Sequence, residues 1–254
     1  IIDIVRPITK FAHQITDPRD TRRLLEEAIN EAISGRPGPV WLDVPLDVQG
    51  ALIEEDDMVP YSHQVLAVYT DIPIQYLDEV IKRLQISQRP AIIAGHGIRI
   101  AGAIDVFRRI TQRLGIPLLS TFNGFDLIET ENPLFTGRIG TVGSRAGNFV
   151  LQNCDLLLSL GSRNNIRQTG FDWNSYGRKA FKIFVDIDKA ELDKPTVRPD
   201  MAVHCDVGVF LRELEKALAD DCFPDWSEWQ QWCTERKFKY PAVMPDMSGH
   251  SKLL

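Results

Sequence analysis

The chain has 254 residues, 44% hydrophobic and 25% charged, an ordinary mixture for one or two globular domains with a buried core. Its 29 Lys and Arg against 35 Asp and Glu leave a formal charge of −6, which argues against general nucleic-acid binding. No apolar run approaches the roughly 18 residues of a membrane span. The opening Ile1-Ile2-Asp3-Ile4-Val5-Arg6-Pro7 has neither a Met nor the pattern of a signal peptide, so the chain is expected to be a piece of a longer one.

Asp17-Pro18 predicts a helix start, with Asp17 as N-cap and Pro18 in the first helical position. Leu24, Leu25, Ala28, Ile29 and Ala32 share one face, and Gly35 ends the helix. An apolar strand follows at 40–44, closed by Pro45. Residues 50–72 lack a helical period and carry the acidic run Glu54-Glu55-Asp56-Asp57, which reads as a crossing between domains. A regular alternation begins at residue 74. Helices at 74–86, 101–114, 145–153 and 207–219 separate strands at 91–94, 117–121, 155–160, 181–185 and 202–205, with a long glycine-rich loop after the second strand. Apolar strands separated by amphipathic helices predict an α/β fold, a doubly wound, mainly parallel, Rossmann-like sheet of five or six strands. A further helix at 225–239 carries Trp226, Trp229 and Trp232 and is expected to dock on the body of the protein. After Tyr240-Pro241 the pattern is lost. The divisions expected are 1–49, a linker at 50–73, a central domain at 74–220, and a C-terminal helix and tail at 221–254.

Cys154, Cys205, Cys222 and Cys233 form no C-x-x-C pair, so no structural zinc site is expected, and a reducing, cytoplasmic setting is the simplest account. Cys154 and Cys205 read as small core residues. No G-x-x-x-x-G-K-[ST] loop and no G-x-S-x-G elbow is present. Among His13, His63, His96, His204 and His250, His204 reads as a core histidine and only His96 stands where a ligand could reach it. Without an acid, base or nucleophile set, catalysis by this chain alone is not expected.

The candidate binding residues sit where open parallel sheets bind ligands, beyond the carboxyl ends of strands. Gly95-His96-Gly97 lets backbone approach a diphosphate, and the helix behind it would present its N-terminus to the anion, although Ile100 replaces the third glycine of G-x-G-x-x-G. Arg163 and Arg167, four apart directly after a strand, can offer forked donors to phosphates or form surface salt bridges. Asp186, at the tip of the next strand, is placed to accept from a ribose or to cap the helix starting near Lys189.

Arg36-Pro37-Gly38-Pro39-Val40-Trp41-Leu42-Asp43-Val44-Pro45-Leu46-Asp47-Val48-Gln49 closely resembles the end of the pyrimidine-binding domain of thiamine-diphosphate enzymes of the acetolactate synthase group, and Arg6-Pro7-Ile8-Thr9-Lys10 resembles its lead-in. Arg89-Pro90, Leu114-Gly115-Ile116-Pro117, Asp155-Leu156-Leu157-Leu158 and Val185-Asp186-Ile187-Asp188 with Ala190-Glu191-Leu192 resemble their central domain in the same order. The resemblance implies a three-domain, homo-oligomeric parent that decarboxylates a 2-oxo acid and passes the product to an acceptor. Residues 1–49 would end its pyrimidine-binding domain, and 221–254 would lead toward its diphosphate-binding domain. That third domain holds the diphosphate through G-D-G, which this sequence lacks, so thiamine diphosphate and Mg²⁺ are expected only in the full-length parent.

In acetolactate synthases the central domain binds FAD; in relatives it binds ADP or nothing. The matching positions are Gly95, His96, Gly97, Thr121, Phe122, Gly140, Thr141, Val142, Gly143, Gly161, Ser162, Arg163, Asn165, Arg167, Asp186, Ile187, Asp206 and Val207. The family's G-M-H-G reads Gly140-Thr141-Val142-Gly143, and its R-F-D-D-R reads Arg163-Asn164-Asn165-Ile166-Arg167, departures that fall at the flavin end. The expectation is a nucleotide-binding scaffold domain. Its alternatives are the central domain of an oxalyl-CoA decarboxylase-like or sulfoacetaldehyde acetyltransferase-like enzyme, a structural module with an empty cleft, or an NAD-dependent enzyme using His96 as base. Surfaces toward the other domains are expected on the 18–34 helix and the tryptophan helix.

Overall fold

The computed structural model describes residues 1–62, 72–218 and 222–241; His63, His250, the end of the linker and the tail beyond Pro241 lie outside the described residues. The chain divides into two units, Ile1–Val68 and Tyr69–Leu254.

The first unit contains α1 (Ile2–Val5), β1 (Phe11–Gln14), α2 (Thr21–Ile33), β2 (Val40–Asp43) and α3 (Leu46–Gln49). β1 and β2 pair in parallel, Phe11 opposite Val40 and Gln14 opposite Asp43, with α2 as the connection. The sequence pattern does not announce β1, because Phe11-Ala12-His13-Gln14 is not an apolar run. Asp17 does act as a cap, accepting from the Arg19 N–H at 3.0 Å, but it caps a 3₁₀ turn at Pro18–Asp20. The α-helix starts only at Thr21 and stops at Ser34, one residue before Gly35. Leu24 packs with Ile15 and Val48, and Ala28 is buried. Leu25 and Ile29, expected on the packed face, are instead 50% and 53% exposed.

The second unit carries α4 (Ile74–Ile86), β3 (Pro90–Ala94), α5 (Gly97–Ile100), α6 (Ile104–Leu114), β4 (Leu118–Ser120) and β5 (Phe135–Arg138). After these come α7 (Arg145–Asn153), β6 (Leu156–Leu160), α8 (Ile166–Thr169), β7 (Phe181–Asp186), α9 (Lys189–Asp193), β8 (Met201–His204), α10 (Val207–Ala217) and α11 (Ser227–Lys239). The strands lie in the order β5-β4-β3-β6-β7-β8, and every neighbouring pair is parallel. This is the doubly wound α/β sheet that the sequence predicts, with six strands. The chain winds outward one way from β3 and the other way from β6, so the switch point of the topology lies between those two strands. Their register, Pro90 opposite Leu156 through Ala94 opposite Leu160, brings their carboxyl ends out side by side.

Side chains alternate across the pleat, so one sequence fills two cores. Ile92, Ala94, Leu118, Leu158 and Ile183 face the core shared with α4, α6 and α10. Ala91, Ile93, Leu119, Leu157 and Phe184 face the core shared with α7 and α11. β5 lies within the loop that the sequence leaves unassigned, because Thr136-Gly137-Arg138 hides its apolar character. The helix expected at 101–114 starts only at Ile104, since the chain turns at Gly102 with a left-handed φ of 61°, and the short α5 precedes that turn. The tryptophan helix docks on its own unit. Trp226 donates its indole N–H to the Ser87 carbonyl at 3.0 Å, Trp229 donates to the Pro90 carbonyl at 2.9 Å, and Trp232 stacks on Trp229 at 5.0 Å. This is the docking on the body of the protein that the sequence predicts; the outer side of α11, with Phe238 79% exposed, is what it leaves open.

Candidate site at the carboxyl edge of the sheet

Backbone meets backbone at the switch point. The Gly97 N–H donates to the Gly161 carbonyl at 3.0 Å, and the Gly95 N–H to the Leu160 carbonyl at 2.9 Å. A Cβ on Gly95 would stand 2.2 Å from the Gly161 oxygen, and one on Gly161 would stand 2.8 Å from the Gly97 Cα, so no side chain fits at either place. Gly161 also has a φ of 56°, which L side chains avoid. The glycines expected to admit a ligand therefore first admit each other. Behind them α5 has only four residues, too few to present the helix dipole expected for an anion, because of the turn at Gly102.

A second junction joins loops from strands that are not neighbours. The Thr141 N–H and hydroxyl both reach the Arg167 carbonyl, at 2.8 and 3.1 Å. Asn148, on α7, fixes the start of the same loop by accepting from the Gly140 N–H at 2.9 Å and donating to its carbonyl at 3.0 Å. β5 and β6 are separated by β4 and β3, so the Gly140-Thr141-Val142-Gly143 loop and α8 span two strands to meet. Thr121 sits between, donating its N–H to the Ala94 carbonyl and accepting from the Gly124 N–H, while Phe122 is 52% exposed.

The third part is the turn after Gly161. Arg163 and Asn164 both adopt left-handed conformations, φ 48° and 46°, unusual for two successive residues with side chains. Asn164 is buried, and its amide is enclosed by hydroxyls: its oxygen accepts from Ser162 at 3.0 Å and from Tyr176 at 3.2 Å, and its nitrogen donates to Ser159 at 3.2 Å. Burial drives the Tyr176 phenol well above its ordinary pKa, so it remains a donor. A cavity of about 10 Å³ lies beneath the turn, room for one water at most. Asn165 caps α8 by accepting from the Arg167 N–H at 3.0 Å.

The charged candidates divide. The Arg163 guanidinium pairs with Glu191 at 2.5 Å, the salt bridge that its spacing left open. Arg167 is exposed on α8 and forms no ion pair among the described residues. Asp186 accepts from the Arg163 N–H at 3.3 Å and from the Asp188 N–H at 3.0 Å. It does not cap the following helix; Asp188 does, accepting from the Ala190 N–H at 3.0 Å. The Ile187 carbonyl is hydrogen-bonded to His204 at 3.0 Å, and Asp206 caps α10 through the N–H groups of Gly208 and Val209. His96 is exposed at the end of β3.

The expected residues are thus collected along one edge, joined as Gly95 and Gly97 with Gly161, Thr141 with Arg167, and Arg163 with Asp186. The sequence reading missed Asn148, Asn164, Tyr176, Glu191 and Lys194. For Asn164 a signal existed, since asparagine is the side chain that best tolerates a left-handed turn. Among the described residues no three His, Cys, Asp or Glu side chains are grouped to hold a metal ion, and no helix is long and apolar enough to cross a membrane. A larger cavity of about 760 Å³ lies at the opposite end of the sheet, between Gln85, Arg89 and Trp226, away from these loops.

The donor set fits the ADP portion of a nucleotide. Arg167 offers a forked cation for phosphate, and the Asp206 carboxylate, which accepts both its N–H bonds on Oδ1, offers its other oxygen to a hydroxyl. Val142 and Ile166 are exposed on the same loops, and neither side chain carries a polar group.

A family model described as "Thiamine pyrophosphate enzyme, central domain" matches residues 77–214. The chain is 33% identical over 244 residues to an acetolactate synthase large subunit of Lactococcus lactis, covering 94% of this chain and 41% of that protein. It is 32% identical to a probable acetolactate synthase large subunit of Methanocaldococcus jannaschii, with 93% and 40% covered. It is 30% identical to the acetolactate synthase isozyme 2 large subunit of Escherichia coli, with 89% and 39% covered. The chain spans about two fifths of the length of these curated relatives.

Proposed function

Because the chain belongs to the thiamine pyrophosphate enzyme family as a central domain, we propose that its carboxyl edge holds the ADP portion of a nucleotide cofactor, FAD or ADP. The observation that carries this reading is the meeting of the β5 and β6 loops, which sets Arg167 beside Gly140-Thr141-Val142-Gly143 at the switch-point end of the sheet. Arg167 holds the diphosphate. Residues 95–97 and 161–162 let it approach the backbone, and Asp186 and Asp206 accept from ribose hydroxyls. Thr121, Phe122, Ile187 and Val207 line the edge between them.

The parent is an acetolactate-synthase-like, homo-oligomeric cytoplasmic enzyme that decarboxylates a 2-oxo acid and joins the remainder to an acceptor. Residues 1–49 close its pyrimidine-binding domain, 50–73 cross to the central domain at 74–220, and 221–254 lead toward its diphosphate-binding domain. Thiamine diphosphate, held with Mg²⁺ by those other domains, supplies the electron-sink chemistry. The chain described here contributes a cofactor shelf and packing surface. A ligand-free structural domain is the second reading, favoured by Arg163 and Asp186 already being engaged with the protein's own groups. Titrating the purified chain with ADP and, separately, FAD tests both. Binding that weakens at least tenfold in Arg167→Ala is expected; a folded chain that binds neither at high micromolar concentration overturns the nucleotide reading in favour of the structural one.

A further inference from the structure

The left-handed pair Arg163 and Asn164 is held from two sides, and only one of them is the hydroxyl cluster around the Asn164 amide. From the other side comes Lys194, just past α9. Its ammonium donates to the Arg163 carbonyl, to the Asn164 carbonyl at 2.9 Å and to the Glu191 carboxylate at 3.1 Å. A lysine has three donors, and each has a partner here. The side chain is 17% exposed and its Glu191 partner 13%, so the cation is largely withdrawn from water for the sake of this contact.

Resting on the nucleotide reading, we propose that Lys194 is the positioning residue of the carboxyl-edge site. It ties the loop after β7 to the turn after β6, and so fixes where α8 starts and where Arg167 stands. The chain between is short. Gly161 is locked against Gly97, Arg163 and Asn164 are the turn, Asn165 is the cap, and Arg167 lies two residues further on. Glu191 serves both cations, taking Lys194 on Oε2 and Arg163 on Oε1, so the Arg163 guanidinium is drawn toward α9 while Arg167 is left for the ligand. Without the ammonium, two carbonyls of a left-handed turn lose their donor and the turn is held only from the side of the Asn164 amide. The polar contacts of Lys194 go to this turn and to Glu191 on α9, and the two cores that hold the sheet are built from other residues.

The test compares the whole 254-residue chain as wild type, Lys194→Met and Lys194→Arg, with two readouts: ADP affinity by calorimetry, and amide hydrogen exchange along the chain. The expected result is ADP binding at least tenfold weaker in K194M, with amides of residues 162–168 exchanging at least tenfold faster and those of β4 and α10 unchanged. K194R, which keeps charge and donors, restores most of both. Wild-type exchange at 162–168 in K194M overturns the proposal, as does a uniform acceleration over the whole sheet, which would make Lys194 an ordinary stabilising residue. If wild type itself does not bind ADP, the nucleotide reading falls, and the exchange pattern still decides whether Lys194 sets the turn. If K194M does not fold, the same readouts on Lys194→Gln decide.

Discussion

Gly161 bears two demands, a φ of 56° and a Cβ position 2.8 Å from the Gly97 Cα. Gly161→Ala therefore combines a left-handed alanine with a backbone collision. We expect a loss of at least about 3 kcal/mol, or failure to fold, read from urea denaturation. Asn164→Ala removes the shared partner of Ser159, Ser162 and Tyr176 and leaves a buried phenol without its acceptor. An expected cost of about 2 kcal/mol should be accompanied by a looser Tyr176, seen as a change in near-ultraviolet circular dichroism. Glycines next to strand ends were legible in the sequence, because spacing from an apolar run locates them. The turn-holding residues were not, since Lys194 and Tyr176 lie 31 and 12 residues from their partners at Arg163 and Asn164. Nothing local in a sequence marks such a pairing.

Among the elements, those with a continuous apolar run were legible: β3, β6 and β7 follow the expected positions closely, and α4 and α7 coincide with them. β1 and β5 escaped because they are short and carry polar or small residues in three of their four positions. The helix expected from 101 starts at Ile104 instead, because Ala101-Gly102-Ala103 form the turn before it. α11 illustrates a different limit. Its tryptophans suggested a docked face, but their spacing could not show that two indole N–H groups would find carbonyls on either side of the entrance to β3. Trp226→Phe keeps most of the apolar contact and removes one buried donor, leaving the Ser87 carbonyl short of a partner. A loss of about 1 kcal/mol is expected in equilibrium urea unfolding, with an unchanged m-value.

Over the whole molecule, three thiols are buried and unpaired. Burial pushes Cys154 and Cys205 up to about 12 and raises Cys233 as well, while Cys222 is exposed. These groups stay protonated in the folded chain and ionise near 9 once it unfolds, so the unfolded state releases protons first. Stability is therefore complete below pH 9 and falls as pH rises from 9 toward 12. At pH 10 each such thiol should cost about 1.4 kcal/mol, checked by thermal melting between pH 7 and 10.5 against a Cys205→Ala control. Layer architecture was legible at this scale, because strand and helix types alternate in the sequence. The order β5-β4-β3-β6-β7-β8 was open to inference only through the rule that crossovers are right-handed, and the meeting of the β5 and β6 loops above two intervening strands was not legible at all.

The indole bonds from α11 reach back 139 residues to the start of β3. Synthesis runs the other way. A ribosome adding about 5–20 residues per second releases this central strand of the sheet roughly seven to twenty-eight seconds before the tryptophans that seal it exist. During that interval β3 can pair with β4 and later β6, but the Ser87 and Pro90 carbonyls at its entrance remain open to water or to a neighbouring nascent chain. The strand laid down first in this unit is thus among the last to be finished, and the newborn chain depends on whatever shields that entrance until residue 229 emerges.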